Sequence, residues 1–309
     1  MSRPAGRDRP GQRCAAILRE LAVPVPFELS AFRACIEKHT GRAVGLIPAV
    51  MEAGAPSGVW LRTARADYFF YEELTSPFHQ AHIVLCLAAR MLLGDGSGPP
   101  VDRLLIPDVR PELVRLMLGT AGSRPVTRGE AEAFAFLALD RSRSAGCPPL
   151  LARRALRRLR PLHSALRAAV PEAVSVADPV GRRDASFRLY QQVIEVRDAA
   201  LALRPYRDPE VARIAQRDGR ASGLSGAELA AAVEAAVLAS ALRARSAGEP
   251  VPTPAGTTTW VPSAGACLRP EAACMAKVSR ALARLPRHRE RARTGISERG
   301  ARESRGVAR

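Results

Sequence analysis

The chain has 309 residues, a formal net charge of +17, 47% apolar residues and only 5% aromatic ones. That length suffices for two domains with real cores, and the apolar content excludes a wholly disordered chain. No run approaches the 18 uninterrupted apolar residues of a membrane span, since Arg90 interrupts Ile83–Leu93 and Glu228 and Glu234 interrupt Leu224–Leu242.

The charge is unevenly placed. Residues 141–167 hold eight arginines and no acid, and residues 277–309 hold eleven basic residues against Glu290, Glu298 and Glu303, so each segment carries a net +8. Only Lys38 and Lys277 are lysines. This arginine bias, with abundant Ala, Gly and Pro, is what a GC-rich genome writes, so arginine content alone carries little. Cys14, Cys35, Cys86, Cys147, Cys267 and Cys274 form no CxxC pair. With no secretory leader in view, a reducing, cytoplasmic setting is expected.

In chain order, residues 1–12 read as a disordered polar arm. From Arg13, Cys14, Ile17, Leu18 and Leu21 recur at helical spacing, and a second helix opened by Ser30 gathers Phe32, Cys35 and Ile36. Ala43–Pro48 reads as a short strand, and Gly58–Arg62 and Asp67–Tyr71 as a hairpin. Ser76 as N-cap and Pro77 at the first position open a helix that stops at Gly94. Helices over Pro111–Leu118 and Arg128–Asp140 follow. Beyond a linker at 144–149, the pattern predicts helices over Leu150–Val170, Ala185–Ala202, Ser225–Arg245 and Pro270–Leu285, with a loop over Gly248–Gly265. Residues 286–309 read as a disordered basic tail.

Several blocks carry a resemblance. Gly58-Val59-Trp60-Leu61, Ala66-Asp67-Tyr68-Phe69-Phe70-Tyr71-Glu72 and Thr75-Ser76-Pro77-Phe78-His79-Gln80-Ala81-His82-Ile83 resemble the approach to the zinc helix in ImmA/IrrE-type metallopeptidase domains of actinobacteria. Leu104–Asp108, Pro111–Val114 and Arg128-Gly129-Glu130-Ala131-Glu132-Ala133 continue the match, which covers about residues 13–143. It implies an α+β, zincin-like N-terminal domain with Glu132, rather than Glu130, at the third-ligand position.

At the site itself the chain departs from that family. Where H-E-x-x-H would place two imidazoles and a general base on one helical face, the chain reads Cys86, Leu87, Ala88, Ala89 and Arg90. A thiolate can bind zinc, but a guanidinium has no lone pair to give, and leucine cannot activate water. No metal or other cofactor is therefore expected, and Arg90 is expected to take the metal's place as an ion-pair partner of Glu132. His79, His82 and Cys86 share a helical face and could offer two imidazoles and a thiolate; the plainer reading is that the histidines cap and pack the helix start. His39, His163 and His288 stand isolated.

The second half has its own resemblance. Leu159–Leu162, Ala168–Pro171, the block Arg188-Leu189-Tyr190-Gln191-Gln192-Val193-Ile194-Glu195-Val196-Arg197-Asp198, Leu203–Tyr206 and Leu224–Gly226 are similar to a helical domain of unknown function found after membrane spans in actinobacterial transporter-like proteins. The match covers about 150–285 and assigns no catalytic residue. Glu195, Arg197, Asp198 and Arg204 read most simply as helix-surface ion pairs.

Together these readings imply an α+β domain followed by a mainly α-helical one, acting as a non-catalytic regulatory or scaffolding protein. The expected partner is a protein, such as a transcription regulator or a membrane complex. Nucleic-acid or anionic-surface binding through Arg153, Arg154, Arg157, Arg158, Arg160 and the tail is the alternative, and residual metallopeptidase activity a third reading. Peripheral membrane association is compatible with the charge.

Overall fold

A computed structural model describes residues 10–52, 55–94, 126–141, 148–173, 184–251 and 265–285. Among these the chain is mostly helical, with nine α-helices and a three-stranded sheet near the N-terminus. The tail at 286–309, the expected helix at Pro111–Leu118 and the blocks at 104–108 and 111–114 lie outside the described residues. No helix among the described residues is long and apolar enough to cross a membrane.

The first helix, α1 (Pro10–Glu20), begins inside the stretch read as a disordered arm, because Cys14 and Leu18 are buried and recruit the preceding turn. Helix α2 (Leu29–Thr40) buries Phe32 and Ile36 and ends at Gly41, whose φ of 67° is the left-handed geometry of a glycine stop. Strands β1 (Ala43–Ala49), β2 (Gly58–Arg62) and β3 (Ala66–Glu72) form a sheet in the order β1-β3-β2. The expected hairpin is present, with Gly58 opposite Tyr71 and Arg62 opposite Asp67, while β1 joins the other edge of β3 in parallel.

One buried carboxylate locks the hairpin. Asp67, fully buried, accepts from Arg42 Nε at 2.7 Å, Arg62 Nε at 2.8 Å and Trp60 Nε1 at 2.9 Å. Burial pushes its pKa up, but these donors outweigh burial and hold it below the ordinary value.

Helix α3 (Pro77–Leu93) follows the expected start. Ser76 is the N-cap, its Oγ accepts from the His79 backbone N–H at 3.2 Å, and Pro77 opens the first turn. Twelve of its seventeen residues are buried, which marks it as the central helix of the N-terminal half. Helix α4 (Arg128–Arg141) packs on α3 and α1. Its start is a reciprocal capping box: Glu130 N–H donates to Thr127 Oγ1 at 3.2 Å, and Thr127 N–H donates to Glu130 Oε2 at 3.0 Å.

The second half contains α5 (Pro149–Ala169), α6 (Ala185–Ala202), α7 (Pro209–Ala221), α8 (Gly226–Ala247) and α9 (Leu268–Arg284). Helix α5 packs on α6 and α9, and α8 on α7 and α9. Inside α5, Pro161 breaks the backbone ladder, and the neighbouring Leu162 N–H donates to Ser279 Oγ of α9 at 3.3 Å.

Two expectations for this half need correction. Helix α7 was missed: Asp208, which accepts from Glu210 N–H at 2.8 Å, and Pro209 give it a clear start, but its sparse apolar face looks like loop in sequence. The apolar face of α5 is also smaller than its leucines suggest. Ala152, Leu159, Leu162 and Leu166 are buried, whereas Leu150 and Leu151, ahead of the packed turns, are 76% and 41% exposed.

The two halves share one apolar core, running from Cys14 and Phe32 through Phe78, Val84 and Phe134 to Tyr190, Leu238 and Met275. Phe136 of α4 meets Phe187 and Tyr190 of α6 at ring-centroid distances of 5.1 and 5.4 Å. Such aromatic pairs add to the burial of their area.

Candidate functional site

Cys86, Leu87 and Arg90 of α3 and Glu132 of α4 all line one cavity of about 360 Å³. Arg128, Asp198 and Arg204 complete its charged rim. Three of these positions are near neighbours on α3, and the packing of α4 on α3 brings Glu132 beside them. The capping box turns Glu130 to the helix start and leaves Glu132, 3% exposed, pointing inward.

The expected pairing of Arg90 with Glu132 is corrected. Glu132 is held by Arg128, whose Nε donates to Glu132 Oε1 at 2.8 Å, and Gln191 Nε2 donates to Glu132 Oε2 at 3.4 Å. Arg90 lines the same cavity with its residue exposed. Arg128 wins because it sits one turn before Glu132 on the same helix. Leu87 is 2% exposed and lies under Gly58 of β2, where a built Cβ would be 3.2 Å from Leu87 Cδ1.

A polar chain crosses from α3 to α6 beside the cavity. Thr75 Oγ1 lies 2.9 Å from His79 Nδ1, and His79 Nε2 lies 3.1 Å from Asp198 Oδ1. Arg128 Nη2 donates to Asp198 Oδ2 at 3.0 Å. An ionised carboxylate only accepts, so the network assigns the His79 proton to Nε2 and makes Nδ1 the acceptor of the threonine hydroxyl. Burial pushes the Asp198 pKa up, but the hydrogen bond from His79 and the Arg128 guanidinium beside it leave it below the ordinary value.

The order hydroxyl, imidazole, carboxylate matches the connectivity of a hydrolytic triad. Its placement does not match. His79 is fully buried, and neither it nor Thr75 lines the cavity. The chain is a structural tie.

One turn on, His82 Nδ1 lies 2.5 Å from the Tyr190 hydroxyl, and its ring stacks on His79 at 5.7 Å. Burial, then the neighbouring His79, pushes His82 down to about 3. It is a neutral acceptor for a tyrosine whose own pKa burial drives well above normal. Cys86 Sγ lies 3.7 Å from His82 Nε2, and burial, reinforced by Glu132, pushes its thiol far up, which disfavours the thiolate. Both histidines are packed residues of the helix start. Among the described residues, no three His, Cys, Asp or Glu side chains are grouped to hold a metal.

The charged cluster of α6 is not a solvated surface, and the helix-surface reading is corrected. Arg197 is 2% exposed and pairs with Glu271 of α9, which also accepts from Ser76 Oγ at 2.9 Å. Burial pushes the Arg197 pKa down, with Glu271 opposing it. Arg204 donates to the Met51 carbonyl and, at 3.1 Å, to the buried Glu72. Glu195 takes His163 Nε2 at 2.5 Å, so the supposedly isolated His163 ties α5 to α6. Sequence patterns showed these charges on one helix but not what would cover them.

The fold and site define a mainly helical protein with a small sheet, whose two halves meet through a shared core and a buried polar network beside one charged cavity. Residues 150–285 match a family of unknown function, DUF6545. No curated protein and no solved structure matches the chain. The matched segment contains the block 188–198, and four of the residues that reach the N-terminal half (Tyr190, Gln191, Asp198 and Arg204) lie in or just after it.

Proposed function

We propose that this chain is a non-catalytic regulatory or scaffolding protein. Its N-terminal half is a degenerate ImmA/IrrE-type metallopeptidase domain, zincin-like in fold, and its second half is a helical domain that now closes over the relict site. The partner is a protein, of the kind a transcription regulator or a membrane complex would supply. The carrying observation is the convergence of Cys86, Leu87, Arg90 and Glu132 on one cavity. That Glu132 lies beside the three positions of α3 supports the reading.

The chemistry at those positions supports a silent site. Arg90 cannot donate a lone pair, buried Leu87 cannot activate water, and Glu132 is already neutralised by Arg128. Partner binding needs surface and shape, and neither depends on the lost ligands.

Zinc content of the purified chain and of the variant Cys86→His/Leu87→Glu/Arg90→His tests both parts. The parent should hold far less than one zinc per chain. The variant should approach one zinc, and adding Glu132→Gln should lower it again. Stoichiometric zinc in the parent would overturn the silent-site reading. A folded triple variant that binds none would overturn the peptidase ancestry.

A further inference from the structure

The described residues leave one strongly charged face unexplained. Helix α5 contains no acidic residue along its whole length, Pro149–Ala169. Arg153, Arg154, Arg157, Arg158, Arg160 and Arg167 are all exposed, and none has an acid partner among the described residues. Arg42, Arg62, Arg197, Arg204 and Arg207, which are buried or partly buried, pair with acids, whereas α5 gathers six exposed arginines on a single helix.

The second observation is apolar. Leu150 is 76% exposed, the most exposed large hydrophobic side chain among the described residues, and Leu151 beside it is 41% exposed. At about 100° per residue, the six arginines fan over an arc of about 180°. Leu150 falls near the middle of that arc and Leu151 at its edge. The opposite face is clamped by Leu159, Leu162 and Leu166 in the core, and His163 is fixed to Glu195. The helix thus lies flat on the molecule with its cationic side outward, unable to roll its leucines inward.

We infer that this face of α5 docks on an anionic lipid surface, with the arginines at the headgroups and Leu150 and Leu151 in the outer acyl boundary. A cationic face with an apolar insert is the composition that such an interface binds. Arginine stems can lie along the apolar boundary while their guanidinium groups stay at the phosphates. A nucleic-acid backbone would satisfy the arginines equally well but offers nothing to a leucine placed in their midst. The inference does not depend on the peptidase reading.

Sedimentation of the full chain with phosphatidylglycerol-containing and pure phosphatidylcholine vesicles tests it, with retention on duplex DNA measured in parallel. The parent should bind only the anionic vesicles, and less as salt rises. Arg153→Gln/Arg154→Gln/Arg157→Gln/Arg158→Gln should weaken vesicle binding about 100-fold or more, at roughly fivefold per arginine. Leu150→Ser/Leu151→Ser should weaken it about tenfold and leave DNA retention unchanged. Because all six positions are exposed, unchanged circular dichroism melts should accompany both variants.

The inference fails if the parent ignores anionic vesicles. It fails if the arginine variant sediments like the parent, which would give the binding to the basic tail. It also fails if the leucine variant keeps full vesicle binding, which would make the face a general polyanion site.

Discussion

His79 Nε2 and Asp198 Oδ1, 119 residues apart in sequence, meet at 3.1 Å across the junction of the two halves. Asp198 also takes Arg128, so one carboxylate joins α3, α4 and α6. Removing it should leave a buried imidazole N–H without its acceptor. Asp198→Ala should therefore cost about 2 kcal/mol or more in urea unfolding. Asp218→Ala, which breaks an exposed pair with Arg217, should cost about 0.5 kcal/mol or less.

Acid should destabilise the protein in two windows. His82 is held down to about 3, against about 6.5 in the unfolded chain. The unfolded chain binds the extra proton, so stability present above about 6.5 should fall as pH drops toward 3, by up to about 1.4 kcal/mol per pH unit. Asp198 and Asp67, both held below the ordinary carboxylate value, act in a lower window. Their contribution is full above about 3.9 and is lost as pH falls further. Unfolding midpoints of His82→Gln should lie flatter than the parent's between pH 6.5 and 4, on the His82 range above.

Gly58 is the contact point of β2 and α3. A Cβ there would collide with Ile83 Cγ2 and press on Leu87. Gly58→Ala should destabilise by about 1–3 kcal/mol. Ile83→Ala, although it removes buried methyl groups, should cost less in the Gly58→Ala background than in the parent. Equal costs in the two backgrounds would refute the contact.

Arg197 and Glu271 form a buried pair, the arginine 2% exposed and the glutamate fully buried. Arg197→Met should cost about 3–5 kcal/mol by stranding the Glu271 charge. Adding Glu271→Gln should recover part of that loss, because the stranded charge goes with it. Chemical denaturation of the parent, both single variants and the double variant gives the coupling.

What sequence reading could reach follows from range. The start of α3 at Ser76-Pro77 and the β2–β3 hairpin depend on neighbours a few residues apart, and both were legible. The parallel pairing of β1 with β3, the capture of Asp198 by His79 and the burial of Arg197 depend on residues brought together only by the fold. Residue types on α6 announced charge; they could not announce that α3, α4 and α9 would cover it. At the cavity Glu132 was expected to pair with Arg90, yet its partner is Arg128, one turn away on the same helix.

Ser76, the residue that starts α3, gives its hydroxyl proton to Glu271, 195 residues later. That single bond sets an order of events during synthesis. The hydroxyl proton of Ser76 and the Arg197 guanidinium, which share that carboxylate, cannot meet it until α9 has left the ribosome. A chain truncated before α9 would lack the Glu271 carboxylate on which both groups converge.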